Sequence, residues 1–317
     1  MLKRPQIPRS LPLSSPERSR ICLIINPAAG RGRNRSRLPA IEAAFRDRAG
    51  VSDVFYTSSP GDEERLAERA ISEGLTTIVA VGGDGTCSRI ANTIVGQRSS
   101  CCLTVVPSGT GNDFAKTIGL SDKPLEWIAD LVLQGATTRI DVGRVDDLHF
   151  LNSCGFGFDA AVLEASNHVK VLKGDAVYIY SALRQLFGYR GIEISSTGIP
   201  ATSSSRMLMV TASNGKSLGG AFQIAPLASV TDGNLDVCFI ADTDAINRVR
   251  LFAAALRGKH IGMPGVVAIS RMQLDLLFET APTMEVDGEL RVARDRRIEL
   301  TCVPGALAVL AAPGAPS

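Results

Sequence analysis

Histidine and tryptophan are nearly missing from this 317-residue chain, which carries three of the first and one of the second. His149, His168 and His260 share no metal-ligand spacing and have no suitable catalytic neighbours. Histidine-based zinc sites and nucleophilic triads are thereby excluded. The seven cysteines, at 22, 87, 101, 102, 154, 238 and 302, form no C-x-x-C pair. Most lie in apolar runs and read as small buried hydrophobes of a reducing cytoplasm, not as a disulfide framework or zinc site. No apolar run approaches the roughly 18 residues of a membrane span, and the first twenty residues lack the apolar core of a signal peptide. The net charge is only +2, too small for nucleic-acid binding by bulk charge. No nucleic-acid partner is expected, and the cytoplasm is the expected compartment.

What is present suggests two domains, at about 150 residues each. Apolar residues make up 45% of the chain, ample for buried cores. Residues 1–19, with Arg20 just beyond, form a basic, proline-punctuated arm. Lys3, Arg4, Arg9, Arg18 and Arg20 face one acid, Glu17. Its composition predicts disorder, with weak attraction to anionic lipid as the sharper reading. From residue 20 to 140 strands alternate with helices. Strands are predicted at 21–25, 51–57, 77–81 and 103–106, and helices at 37–48, 61–73 and 87–96. This alternation predicts a mostly parallel sheet with helices on both faces. Ligands of such sheets bind at the carboxyl ends of the strands, which here are the loops 26–33, 82–86 and 107–113. Beyond 140 the chain turns β-rich, with eleven strand-like runs, among them 221–225, 297–302 and 306–311. Two helical stretches, 172–187 and 244–257, interrupt them. This half predicts an antiparallel β-sandwich.

Gly82-Gly83-Asp84-Gly85-Thr86 closes the third strand. Glycines there let backbone N–H groups approach a phosphate chain, at the positive end of the next helix. A tight strand–helix corner is the plainer alternative. The spacing matches neither the Walker loop nor G-x-G-x-x-G. Asn26-Pro27-Ala28-Ala29-Gly30 offers a similar loop after the first strand. In Ser108-Gly109-Thr110-Gly111-Asn112-Asp113, Asp113 reads either as a helix cap or as a carboxylate facing a substrate hydroxyl. Asp232-Gly233-Asn234 reads either as a hairpin turn or as a magnesium site of one carboxylate plus carbonyls and waters. Asp287-Gly288-Glu289 reads either as a hairpin turn or as the source of a general base for phosphoryl transfer.

Taken in order, these motifs resemble the diacylglycerol kinase catalytic-domain family, which includes bacterial diacylglycerol and YegS-like lipid kinases and the sphingosine and ceramide kinases. The resemblance spans roughly residues 20–312. GGDGT alone would not carry it, because NAD kinases and phosphofructokinase relatives share it. It implies an NAD-kinase/phosphofructokinase-like α/β domain at 20–140, rejoined by about 295–312. A β-sandwich domain at 141–294 follows, with the active site in the cleft between the two. It implies ATP as phosphoryl donor on Asn26, Pro27, Gly30, Gly82, Gly83, Asp84, Gly85 and Thr86. Ser108, Gly109 and Thr110 would close over it. Asp113 matches a residue meeting the lipid hydroxyl. Asp232 matches the Mg2+ position, with carbonyls from Ser229 and Asn234 and with Asp141 linked through water. Glu289 matches the general base, with Asp287 beside it. A lipid substrate met at the membrane surface and a homodimer are the implied partners. The chain departs from the family where GGDGT is commonly followed by Leu-Asn-Glu and here by Cys87-Ser88-Arg89. That exchange of acid for Arg89 suggests a more anionic ligand. An amphipathic segment at 171–189, flanked by Lys170, Lys173, Arg184 and Arg190, suits an anionic bilayer. It suits packing on its own domain equally. Two other readings are an NAD kinase-type kinase of a soluble substrate and a non-catalytic lipid- or nucleotide-binding regulator. The 107–114 and 232–236 motifs oppose the first, and the acids at 232 and 289 oppose the second.

Overall fold

The computed structural model describes residues 20–30, 32–51, 53–167, 175–195 and 206–315. The basic arm, and Lys170 and Lys173 of the amphipathic segment, lie outside the described residues. Strands β1 (Ile21–Ile25), β2 (Asp53–Tyr56), β3 (Thr77–Gly82) and β4 (Cys102–Pro107) form a parallel sheet in the order β4-β3-β1-β2. Helices α1 (Leu38–Ala49), α2 (Asp62–Ser72) and α3 (Asp84–Gly96) cover it, with α5 (Leu125–Gln134) after the short α4 (Asp113–Thr117). The alternation of β1 decides which face each side chain serves. Cys22 and Ile24 pack with Leu66, Ala70, Ile90 and Ile94 of α2 and α3. Ile21, Leu23 and Ile25 pack with Ile41, Phe45, Ile128 and Val132 of α1 and α5. A strand buried on both faces needs an unbroken apolar run, and ICLII supplies one.

The second half begins with β5 (Thr137–Val145), β6 (Leu148–Phe150) and β7 (Ser153–Gly157), followed by helices α6 (Phe158–Asn167) and α7 (Asp175–Gln185). Then come β8 (Ile192–Ser195), β9 (Arg206–Ser213), β10 (Leu235–Ala241), α8 (Ala245–Ala255) and β11 (Val266–Arg271). It ends with β12 (Gln273–Phe278), β13 (Thr283–Val286), β14 (Glu289–Val292) and β15 (Arg297–Leu310). One layer is antiparallel and runs β14-β13-β7-β9-β10-β11. The other is built on β12, β15, β5 and β6. Strand β8 pairs with β9 on one side and β12 on the other, joining the layers. Phe150, Phe156, Val210, Val237, Leu276, Ile298 and Leu300 fill the space between them. This is a sandwich core. Against its outer face, α6, α7 and α8 bury Phe158, Val162, Ala182, Leu186 and Leu251. No helix among the described residues is long and apolar enough to cross a membrane.

Several details differ from expectation. The runs 297–302 and 306–311 are one strand, β15, whose register shifts between Val303 and Leu307. Pro304 has no N–H to donate there, so the ladder is interrupted without the strand ending. Its later part lies parallel to β4, through Ala308 and Val309, and so ties the two halves together. The run 221–225 is not a strand. It keeps only a bridge between Leu218 and Phe222, while Gln223 N–H goes to Ala255 and Ala225 N–H to Lys216. Helices α5 and α6 and strand β14 are further elements beyond the expected ones.

Close packing between β5 and β6 gives a first prediction. Gly143 sits opposite Phe150, and a Cβ there would lie 2.0 Å from the buried ring. Gly143→Ala should lower stability by about 1–3 kcal/mol, the usual cost of overpacking. Adding Phe150→Leu should return part of it. A denaturation midpoint unchanged by Gly143→Ala would contradict this packing.

Candidate active site

The loops at the carboxyl ends of β1, β3 and β4 meet by close backbone approach. A Cβ on Gly83 would lie 2.9 Å from the Gly109 Cα, and one on Gly109 would lie 2.5 Å from the Gly83 Cα. Only glycine at both positions permits that contact. Helix α3 starts at Asp84, three residues earlier than expected, so Asp84, Gly85 and Thr86 are its first turn. Asn26 is fixed from every side. Its amide donates to Glu63 and to Thr86 Oγ1, both at 3.2 Å, and its Oδ1 accepts the Ala28 N–H at 2.9 Å. Pro27 is half-buried and Gly30 adopts a positive φ of 61° in the same loop. Ser108 is buried, with Arg37 reaching its Oγ at 3.5 Å and the Pro107 carbonyl at 3.2 Å, while Thr110 is exposed.

Asp84 and Asp113 face one another across Gly111. A Cβ on Gly111 would meet Asp84 Oδ2 at 3.2 Å, the Gly220 nitrogen at 3.3 Å and Asp113 Oδ2 at 3.4 Å. Asp113 does not cap α4, where it is the first residue. Its carboxylate accepts Lys116 Nζ at 2.9 Å and the Gly220 N–H at 3.0 Å. The orphan N–H of Phe114 goes instead to Asp84 Oδ1, at 3.0 Å. Burial, followed by the Asp113 charge, pushes the Asp84 carboxyl up to about 7. No hydrogen bond to Asp84 Oδ2 is present among the described residues.

The hairpin Asp287-Gly288 joins β13 to β14 with φ of 47° and 84°. Two consecutive positive φ values fit a two-residue turn of the primed type. Asp287 is buried and accepts N–H groups from Leu151 at 2.7 Å, Asn152 at 2.8 Å and Ser153 at 3.2 Å. Burial outweighs these donors and raises its carboxyl above the ordinary value. Glu289 points back at α3. Its Oε1 accepts Arg89 Nη2 at 2.8 Å and Nε at 3.0 Å; Oε2 accepts Arg89 Nη2 at 3.0 Å and pairs with Arg291. Arg89 also reaches Glu64 on α2, at 2.8 Å.

The 229–234 segment is not a hairpin. It ends the long connection between β9 and β10 and is pinned by Asp141 on β5. Asp141 Oδ2 accepts the Gly233 N–H and Oδ1 the Gly305 N–H, both at 2.7 Å. Asp232 is exposed. Its Oδ1 accepts the Asn234 N–H at 3.0 Å, and no hydrogen bond to its other oxygen is present among the described residues. Ser229 Oγ lies 3.2 Å from Thr231 Oγ1. No cluster of three His, Cys, Asp or Glu side chains able to hold a metal occurs among the described residues. One free carboxylate oxygen on a turn nonetheless fits a hard cation completed by carbonyls and water.

Besides Glu64 and Arg291, which bracket the Arg89–Glu289 pair, sequence reasoning missed four residues that the fold brings to the site. Glu63, read only as a first-turn acid, is buried beside Asn26 and Thr86. The spacing 63, 66, 67, 70 was its signal, since it puts Glu63 on the apolar face of α2. Lys116 lies one turn after Asp113. Asp159 and Glu285 are the others. Asp159 accepts Thr211 Oγ1 at 3.1 Å, and burial raises it to about 7. Glu285, opposite Gly155 on the neighbouring strand, is raised well above the usual range by burial and then by Asp159. Asp159 also lines a cavity whose other walls include Phe158, Leu186, Phe222, Ile240 and Leu251.

Residues 20–145 match the diacylglycerol kinase catalytic domain, and residues 152–311 match the YegS C-terminal NAD kinase beta sandwich-like domain. The chain belongs to the diacylglycerol kinase catalytic-domain family of lipid kinases. It is 27% identical over 270 residues to a diacylglycerol kinase of Bacillus subtilis, covering 84% of this chain and 88% of that one. It is 30% identical over 274 residues to the "Probable lipid kinase YegS-like" protein of Xanthomonas euvesicatoria, covering 83% and 87%. A crystal structure of a diacylglycerol kinase from Bacillus anthracis superposes with a TM-score of 0.75 at 21% identity, covering 95% of this chain and 99% of that one.

Proposed function

We propose that this enzyme transfers the γ-phosphoryl group of ATP to the hydroxyl of a lipid, diacylglycerol or a close relative, with Mg2+. The observation that carries the lipid reading is the match to lipid kinases over both halves of the chain, and a small apolar cavity of about 50 Å³ between α6, α7, α8 and the sandwich, lined also by Asp159 and Arg248, is consistent with it. A soluble nucleotide acceptor would need polar walls; acyl chains need apolar ones. Asp159 lies over Gly155, which pairs with Glu285 two residues before Asp287. Asp159, one of the lining residues, is thus one strand from the 287–289 hairpin. The rim supports peripheral membrane contact. Tyr180, Leu183 and Phe187 are exposed beside Arg184 and Arg190, and Ile246 and Val249 of α8 are exposed nearby. Apolar side chains with flanking cations suit an anionic bilayer surface.

The three carboxylates differ in fitness as a base. Asp287 has its lone pairs engaged by three backbone N–H groups, and Glu289 has its own engaged by two guanidinium groups. Asp84 Oδ2 is open, and its proton affinity is matched to neutral pH. The acceptor proton therefore goes to the Asp84–Asp113 pair. As the hydroxyl oxygen bonds to the γ-phosphorus, its proton passes to Asp84 Oδ2 and ADP departs with the bridging oxygen. Asp232, with the carbonyls of Ser229 and Asn234, would hold the magnesium ion, and Asp141 would support it through water. When bound, that ion offsets phosphate charge.

The test is incubation of the full chain with γ-labelled ATP, magnesium and a total lipid extract. Labelled phosphatidic acid is the expected product, and no labelled lipid would overturn the reading. Ala182 is buried in the cavity wall. Ala182→Phe should reduce lipid phosphorylation about tenfold or more, given how apolar pockets discriminate by volume. ATP binding should be unchanged. Full lipid turnover by this variant would remove the cavity from the acceptor site.

A further inference from the structure

We propose that Arg89 and Arg291 form a polyphosphate clamp, and that Glu289 holds it shut by occupying the place of a phosphate group; this rests on the kinase reading above. Arg89 stands where the family's pattern commonly has an acid, so nothing in the resemblance assigns it this role. It projects from the second turn of α3, directly behind the glycine-rich turn. Glu289 Oε1 would lie 3.4 Å from a Cβ on Gly85, so its carboxylate rests against the backbone of that turn. Both its oxygens are held by Arg89, and Oε2 also by Arg291. A carboxylate and a phosphate present the same pair of oxygens to a guanidinium fork.

The arrangement suits exchange. Side-chain exposures of 25% for Arg89, 29% for Glu289 and 41% for Arg291 leave the group within reach of a solute. A phosphate group offers this fork two or more anionic oxygens, as many as Glu289 does, and so competes for the same donors. An incoming phosphate can therefore displace Glu289. Glu64 holds Arg89 from the α2 side at 2.8 Å, which keeps the guanidinium oriented when Glu289 leaves. With Glu289 in place the four side chains carry two positive and two negative charges. Without it they carry one net positive charge facing the turn.

The experiment is calorimetric titration of the full chain with ATP, AMP and inorganic tripolyphosphate. Arg89→Gln should weaken ATP and tripolyphosphate about tenfold, the scale of one charge-assisted contact, and AMP less than about twofold. Arg89→Lys should recover part of the loss. Glu289→Gln should bind ATP and tripolyphosphate several-fold tighter than the parent, because the arginines are released. A structural role for Arg89 would weaken all three ligands alike. Equal losses for AMP and ATP, or no tightening in Glu289→Gln, would overturn the clamp. If the parent binds tripolyphosphate through Arg89 but takes no ATP, the kinase reading fails and the clamp stands. If it binds neither, both fail.

Discussion

Asp84→Asn should abolish lipid phosphorylation while making the protein more stable at pH 8. The loss of turnover is expected to be about a thousandfold, within the range of a removed general base. The gain in stability follows from proton linkage. In the folded protein burial and then the Asp113 charge push this carboxyl up from its ordinary 3.8 to about 7. Folding therefore takes up a proton between those values, and the stability this gives is lost as pH rises toward 7. Above pH 7 the parent must keep a desolvated anion beside Asp113. Asparagine keeps an oxygen for the Phe114 N–H and carries no charge, so the penalty disappears. In the parent, turnover should rise with pH and level off just above 7, as the base loses its proton. Thermal melts at pH 5 and pH 8, with single-turnover rates across the same range, check both parts. A variant less stable than the parent at pH 8, or one with near-normal turnover, would remove Asp84 from this role.

The sequence revealed what depends on local pattern and concealed what depends on distant contact. The apolar runs of β1, β3 and β4 declared a sheet covered on both faces, because burial on two sides leaves no room for polar alternation. Asp287-Gly288 after the run 283–287 admits a hairpin turn, because such residues accept two positive φ values in succession, but the return strand β14 gives no signal of its own. The partners of the site residues were not legible. Asp113 finds Gly220 across 107 positions, and Arg89 finds Glu289 across 200. Nothing near either residue records these pairings. Asp113 therefore stays open between helix cap and hydroxyl-facing carboxylate, while Asp84, in the first turn of α3, takes the Phe114 N–H. The Asp232 turn misled for a related reason. Asp-Gly between apolar runs resembles a hairpin, yet Asp141 on β5 captures the Gly233 N–H and holds the segment away from one. Helix α6 lacked any breaker pattern separating it from β7 except Gly157, whose φ of 98° makes the turn.

Asp287→Ala should act in the opposite sense to Asp84→Asn, and the pair together separates chemistry from architecture. Removing the Asp287 carboxylate strands three buried N–H groups, of Leu151, Asn152 and Ser153. Each stranded donor costs about 1–3 kcal/mol. The desolvation that raises the Asp287 carboxyl is relieved at the same time, which offsets part of that cost. A net loss of about 3 kcal/mol is expected, a large share of the roughly 5–15 kcal/mol that holds a domain folded. Asp287→Asn should lose less, because one oxygen still serves Asn152 and Ser153 while its amide opposes the Leu151 N–H. Urea denaturation should show a lower midpoint for both variants with an unchanged slope. Turnover per folded molecule should fall far less in Asp287→Asn than in Asp84→Asn, since Asp287 only carries the strand ends that aim Glu289 at α3. Were Asp287 the base instead, its asparagine variant would lose turnover per folded molecule as completely as Asp84→Asn does, whatever its midpoint. That result would transfer the proton from the Asp84–Asp113 pair to the hairpin, and would leave the raised Asp84 carboxyl without a task.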